Sequence, residues 1–159
     1  MSRKFYNLTI DKIDFFPIRA FERHSRHLVN LQRETLKNSL EIMYTCTQST
    51  KLRDFQYRLI HMTLTTNKEA FHYFKKVPTD RCTFCKTIQE DIHHILLHCK
   101  YTKTLWNNLH AFIKQKTGVD IQLNDQDLLF GNNFLPFPNL YNHILILTKQ
   151  YSQVVKWYQ

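Results

Sequence analysis

The chain has 159 residues, 43% of them apolar, with 22 Lys and Arg against 13 Asp and Glu and a formal net charge of +9. That length holds one domain, with or without a loosely attached arm, and 2 Gly and 4 Pro leave no room for a low-complexity linker. No apolar run is long enough to cross a bilayer and the opening MSRKFYNLTIDKIDFF lacks the apolar core of a secretory signal, so an intracellular chain, in nucleus or cytoplasm and with no membrane partner, is expected. The charge is uneven: residues 1–116 hold 20 of the basic side chains against 10 of the acidic ones, a balance of +10, and the remainder comes to −1. A positive field of that kind points to a polyanion, nucleic acid foremost; the ordinary alternative is a solvated surface.

Residues 1–17 mix Phe5, Tyr6, Leu8, Ile10, Ile13, Phe15 and Phe16 with charges in partial alternation up to Pro17, the pattern of a short strand or an extended arm. From Ile18 to Asn30, Arg19, Arg23 and Arg26 recur at helical spacing. They form either a phosphate-contacting face or an exposed helix with Phe21, Leu28 and Leu31 turned inward. A basic arm or helix is therefore placed at 1–45 and a helical domain at 46–159. Leu36, Leu40 and Met43 continue an apolar stripe expected to end near Thr45, where TCTQST reads as a loop. Thr50 is the expected cap of a core helix with Leu52, Phe55, Leu59 and Met62 inward, leaving Arg53 and Arg58 mostly outside. Asn67 is expected to cap a second helix that carries Ala70, Phe71 and Phe74 and closes at Lys75-Lys76 before Pro78. The two would form a hairpin leading into the cysteines.

Residues 80–99 read DRCTFCKTIQEDIHHILLHC. Two cysteines two residues apart make a tight turn whose thiolates converge, and a histidine and a third cysteine returning from a following helix complete the tetrahedron that zinc prefers. The ligands read as Cys82, Cys85, His94 and Cys99, a C-x2-C-x8-H-x4-C spacing, with His93 as a substitute for His94 and His98 fitting only if Cys99 bends away. His94 and Cys99 are five apart and leave a helix end from nearly the same side if the last turn is loosened. A retroviral-type knuckle would put its histidine nearer the second cysteine, where Gln89 stands. Four protein ligands leave no open position for water, so the site is expected to be structural. A base deaminase needs a Pro before the first cysteine and an upstream H-x-E; Arg81 precedes Cys82 and no H-x-E exists. Nothing marks an oxyanion hole for a Cys99–His94 nucleophilic pair. Cys46 is left single, which suits a reducing compartment and argues against a disulfide framework.

After Cys99, Leu105, Leu109, Phe112 and Ile113 share one face of a predicted helix, with Trp106 at its edge and Gly118 as terminator. NDQDLLFG gives a short turn capped at Asn124, followed by an irregular stretch to Pro138. Asn139 starts a last helix with Leu140, Ile144, Leu147, Tyr151, Val154 and Tyr158 in register, read as a core stripe rather than a partner-binding groove. The fold class that results is mostly α, a small helical domain organised around a CCHC zinc site.

TKLRDFQYRLIHMTLTTN before the cysteines, CTFC…IHHILLHC with CKYTKTLW following, and DLLFGN and NHILILTKQ beyond it together resemble the zinc-binding domain downstream of the polymerase in non-LTR (LINE-type) retrotransposon reverse transcriptases. The resemblance covers roughly the second two-thirds of the chain. It favours His94 over His93, and it implies a helical domain that uses zinc to fix its fold and helps hold template RNA and target DNA during target-primed reverse transcription. It does not bring the activity with it. A polymerase needs paired aspartates in a Y-x-D-D turn to hold two metals, and the chain has no adjacent Asp pair and no endonuclease constellation.

The expectation is a non-catalytic module that binds RNA or DNA without strong sequence preference through Arg53, Arg58, Lys75, Lys76, Arg81, Lys86, Lys100 and Lys103. Tyr73, Tyr101 and Phe84 would stack on unpaired bases, Phe84 packing equally well on the zinc turn. The alternative is a structural remnant or interaction fragment whose partner is a polymerase body, in which case the last helix presents an exposed apolar face.

Overall fold

A computed structural model of the chain describes residues 33–156. The strand or arm at 1–17, the cationic helix at 18–30 and Tyr158 lie outside the described residues. Within them the order is α1 (Arg33–Cys46), α2 (Thr50–Ile60), α3 (Asn67–His72), a π-helical turn (His94–His98), α4 (Lys100–Thr117), α5 (Asp125–Phe130) and α6 (Pro138–Lys156). No strand occurs among the described residues, and a single antiparallel bridge joins Arg81 to Gln89. The mostly α fold is as expected.

The stripe predicted on α1 puts Leu40 and Met43 into a core with Leu52, Phe55, Leu59 and Ile60 of α2, Ile95, Leu96 and Leu97 of the π turn, and Ile146 of α6. Each such side chain contributes about 1.5–3 kcal/mol when fully removed from water. α1 crosses position 45, and its core residues are shared with α2 and α6. The cap of α2 is Ser49 rather than Thr50: its hydroxyl accepts the Leu52 N–H at 3.5 Å, and Thr50 becomes the first helical residue.

Three expectations are corrected. First, α3 ends at His72, capped by Thr66 in a capping box with Glu69, and Lys75 takes a left-handed φ of 53° that turns the chain away and leaves Phe74 exposed. No hairpin with α2 results, since α2 packs chiefly on α1 and α6. Second, α4 is rotated from the predicted face. Trp106 and Ile113 are buried, Phe112 is 55% exposed, and the Trp106 indole N–H donates to the Leu96 carbonyl at 2.7 Å. The indole's need for an acceptor decides the rotation. Third, α6 buries Tyr141, Leu145 and Ile146, while Leu140, Leu147, Tyr151 and Val154 are exposed. The predicted core stripe is the outer face.

A second core joins Trp106 and Ile113 to Ile121, Leu135, Tyr141 and Leu145. Gly131 turns the chain between α5 and α6 with φ 86°, and a Cβ there would lie 2.8 Å from Asn142 Oδ1, which accepts the Asn132 N–H at 2.9 Å. Only glycine fits that approach.

The inner face of α6 also carries Lys149, 1% exposed, whose Nζ donates to Gln56 Oε1 at 2.8 Å and to the Leu129 carbonyl at 2.9 Å. Neither acceptor is charged, and two N–H donors satisfy both, so a neutral amine fits. Burial lowers its pKa to about 7, against a smaller upward pull from Cys46, whose own thiol burial pushes up. The folded pKa lies below the unfolded value of about 10.4, so above pH 7 the unfolded chain binds more protons and stability rises with pH, by at most about 1.4 kcal/mol per unit. Below pH 7 both states are protonated and the contribution is flat. The urea midpoint is expected to climb between about pH 7 and 8.5, and Lys149→Met to remove that part of the climb. Identical slopes for the two proteins would show that Lys149 stays charged.

Candidate metal centre

The C-x2-C turn is closed by backbone bonds: Lys86 N donates to the Cys82 carbonyl at 2.9 Å and Cys82 N to the Ile88 carbonyl at 2.8 Å, with Lys86 at a left-handed φ of 60°. The Thr87 hydroxyl donates to Cys85 Sγ at 3.3 Å. On the other side, Asp91 Oδ1 accepts the His94 N–H at 2.7 Å and starts the turn that delivers the histidine. Cys99 N then donates to the His94 carbonyl at 2.7 Å, an i→i−5 bond. The helix is widened by one residue here, so His94 and Cys99 face one point despite lying five apart.

The ligand atoms of Cys82, Cys85, His94 and Cys99 all fall within 4.8 Å of one another. Cys82 Sγ and Cys99 Sγ are 3.9 Å apart, and Cys85 Sγ lies 3.4 Å from His94 Nε2. Tetrahedral zinc with its usual bond lengths has edges of about 3.8 Å between sulfurs and 3.6 Å between sulfur and nitrogen. The donor set and the spacings fit that ion. His93 is outside the group, its ring 6.5 Å from that of His98 and nearly parallel to it, and His98 pairs with Asp125 at 3.8 Å. Cys46 stands apart in the first core.

The two cysteines of the turn differ in their electrostatics. Burial pushes the Cys82 thiol up to about 12, helped by Cys99 and opposed by the backbone N–H groups of Cys85 and Phe84. Cys85 goes the other way: burial raises it, but the Thr87 hydroxyl, the Thr87 and Ile88 backbone and His94 outweigh that and bring it to about 5. A metal must therefore displace a proton from Cys82 while meeting a thiolate at Cys85.

A hub behind the turn has no counterpart in the sequence reading. Glu90 is fully buried; its Oε1 accepts the Asn67 N–H at 2.7 Å and its Oε2 the Thr83 N–H at 2.9 Å, between the two cysteines. Lys156 Nζ, from the last described turn of α6, lies 2.5 Å from Oε1. Asn67 adds bonds from its amide to the Arg81 carbonyl at 2.8 Å and to Thr83 Oγ1 at 3.0 Å. The metal loop is thus anchored to α3 and to α6.

The predicted nucleic-acid residues are distributed as follows. Arg81 and Lys86 flank Cys82 and Cys85, Lys100 follows Cys99, and all three are exposed with Lys103 one turn on. Arg58, Lys75, Lys76, Tyr73 and Tyr101 are exposed as well, Lys75 over the Phe71 ring, Lys76 over Phe74 and Lys100 over Tyr101. Arg53 is half-buried, and it donates to the Thr47 carbonyl at 2.8 Å and the Tyr44 carbonyl at 3.1 Å. Phe84 packs against the first core.

The fold and the site together define a helical module built around a Cys3His group that could hold a metal ion, with no adjacent aspartate pair anywhere in the chain. The family described as zinc-binding in reverse transcriptase matches residues 12–106, and the chain belongs to it. The match reaches further toward the start than the resemblance in sequence did and stops at Trp106, before DLLFGN and NHILILTKQ. No curated protein and no solved structure matches the chain.

Proposed function

We propose that the chain is an accessory, non-catalytic zinc module of a reverse-transcription system that acts inside the cell and holds RNA or DNA beside a polymerase. Zinc on Cys82, Cys85, His94 and Cys99 supplies the cross-link that shapes the module. The observation that carries the proposal is the family membership, joined to the placement of Arg81, Lys86 and Lys100 next to three of the four ligands. Fixing those ligands on one ion gathers the adjoining cations around one centre, and Lys103, Lys75 and Lys76 extend the charge on either side. Exposed Tyr73 and Tyr101 offer ring faces to unpaired bases. Arg53, tied to two backbone carbonyls, has less to offer a phosphate than the others.

The test is a salt titration of binding to a single-stranded RNA or DNA oligonucleotide. Each phosphate contact contributes a slope of about −0.7 in log K against log salt, so four to six contacts give roughly −3 to −4. Lys100→Ala and Lys86→Ala should each make the slope shallower by about 0.7. A flat line, or a slope unmoved by either substitution, would remove the phosphate contacts and the proposal with them.

A further inference from the structure

α3 ends in a short knuckle, His72-Tyr73-Phe74-Lys75-Lys76, that presents two aromatic rings and two cations side by side. Tyr73 is 74% exposed and Phe74 54%, and Lys76 Nζ lies 5.5 Å from the centre of the Phe74 ring. Backbone bonds fix the knuckle. Tyr73 N and Phe74 N both donate to the Glu69 carbonyl, at 3.0 and 3.3 Å, and Lys76 N donates to the Ala70 carbonyl at 2.9 Å across the left-handed Lys75. Ala70 is itself buried. A non-glycine residue rarely takes that conformation, and here it turns the chain so that the ring pair stays in solvent.

Both ends of α3 are tied to the metal loop. At its start the Asn67 N–H goes to Glu90 Oε1 and the Asn67 side-chain amide to the Arg81 carbonyl. At its end His72 Nε2 lies 3.4 Å from Asp80 Oδ2, and that oxygen also accepts from Gln89 Nε2 at 2.7 Å. The knuckle thus sets out from a contact with the residue that precedes Arg81, and Arg81 is bridged to Gln89. Residues 70–89 hold four Lys and Arg, at 75, 76, 81 and 86, against one carboxylate, Asp80, which His72 and Gln89 face. None of the four is in an ion pair among the described residues. Arg81 gives one N–H to the Thr87 carbonyl and keeps the remainder of its donor fork.

Rings held in solvent with cations at their edges match an unpaired base and its phosphate: the ring takes the face of the base and the cation takes the charge. A duplex presents the phosphates but keeps its base faces inside the stack, so it can use the lysines and not the rings. We propose that the end of α3, together with Arg81, is a single-strand site, in which an unpaired base stacks on Phe74 beside Tyr73 while Lys75, Lys76 and Arg81 take the flanking phosphates. This site rests on the proposed binding of RNA or DNA and narrows it to single strands. Phe74 is its new member, a side chain that helical periodicity assigned to the core and the left-handed turn leaves outside.

The full, zinc-loaded chain is titrated with a thymidine homopolymer of about 12 nucleotides, once as a single strand and once annealed to its complement. The single strand should bind about tenfold more tightly than the duplex at equal salt. Phe74→Ala should weaken the single strand about tenfold and leave both the duplex and the salt slope unchanged, since no phosphate contact is lost. Phe74→Leu keeps apolar bulk without a π face and should behave like Phe74→Ala. Phe74→Trp should restore binding, with an added fluorescence that the strand quenches. Phe112→Ala removes an equally exposed ring that also has a lysine over it, but about 20 Å along α4 from Cys99, and should change nothing. Equal affinity for single strand and duplex, or a Phe74→Ala chain that binds the single strand as tightly as the parent, would overturn the single-strand site while a persisting salt slope keeps the phosphate contacts. A flat salt slope would instead remove both.

Discussion

Cys85→Ser is expected to abolish stoichiometric zinc and to unfold the stretch from Arg81 to Leu109. The four residues sit within eighteen positions, and what holds them together otherwise is a backbone turn, one widened helical turn and the Glu90 hub. Metal binding and local folding are then one event, worth on the order of 10 kcal/mol in isolated zinc modules. Removing a thiolate from a four-ligand site takes away most of that. Cys46→Ser should leave metal and fold intact, because Cys46 packs in the first core away from the site. His94→Ala should lose the ion, whereas His93→Ala, which removes only a ring stacked near His98, should keep it. Metal content by mass spectrometry and amide exchange across 81–109 decide the matter. Full zinc occupancy in Cys85→Ser, or equal losses at His93 and His94, would show the ligands to be misassigned.

The second large effect is expected at Glu90. Substituting Ala takes the carboxylate away from the Lys156 ammonium, which keeps the Thr65 carbonyl at 3.4 Å, and leaves the Asn67 and Thr83 N–H groups without their acceptor. Breaking a buried ion pair from one side costs about 3–5 kcal/mol, because the surviving charge keeps its desolvation penalty. Glu90→Ala/Lys156→Met removes both charges and should recover part of that loss. A denaturant series on the two single variants and the double variant measures the coupling. A loss below about 1 kcal/mol for Glu90→Ala would mean that the carboxylate is not held as described.

Where periodicity and chemistry agreed, the sequence was readable. The α1 stripe, the inward side of α2, the Gly118 stop and the Asn124 cap rest on local rules, and the convergence of Cys82, Cys85, His94 and Cys99 rests on a spacing that little else explains. The errors have a common origin. Leu140, Leu147 and Tyr151 share a helical face, but so do Tyr141, Leu145 and Lys149, and a helix with two apolar sides gives no local sign of which one meets the core. The presence of lysine on the second face pointed the wrong way, since Lys149 and Lys156 are buried through Gln56 and Glu90, 93 and 66 positions away in the chain. Phe112 and Trp106 were exchanged on α4 for a similar reason: the Leu96 carbonyl that holds the indole comes from another element. Asp91 was legible as a cap before IHHILLH and was overlooked. Glu90 carried no such signal.

The i→i−5 bond between Cys99 and His94 sets a ruler for the whole site. Deleting one residue from the intervening ILLH would restore ordinary α-helical spacing and still present a histidine and a cysteine on one side, so the metal alone does not require the extra position. What requires it is the apolar trio Ile95, Leu96 and Leu97, all buried in the first core. A deletion would swing whatever follows it by about 100° around the axis and carry α4, with its indole, off the Leu96 carbonyl. The surplus residue thus works as a phase shifter between two periodicities, one dictated by coordination and the other by side-chain packing, and neither could be altered in length without retuning the other.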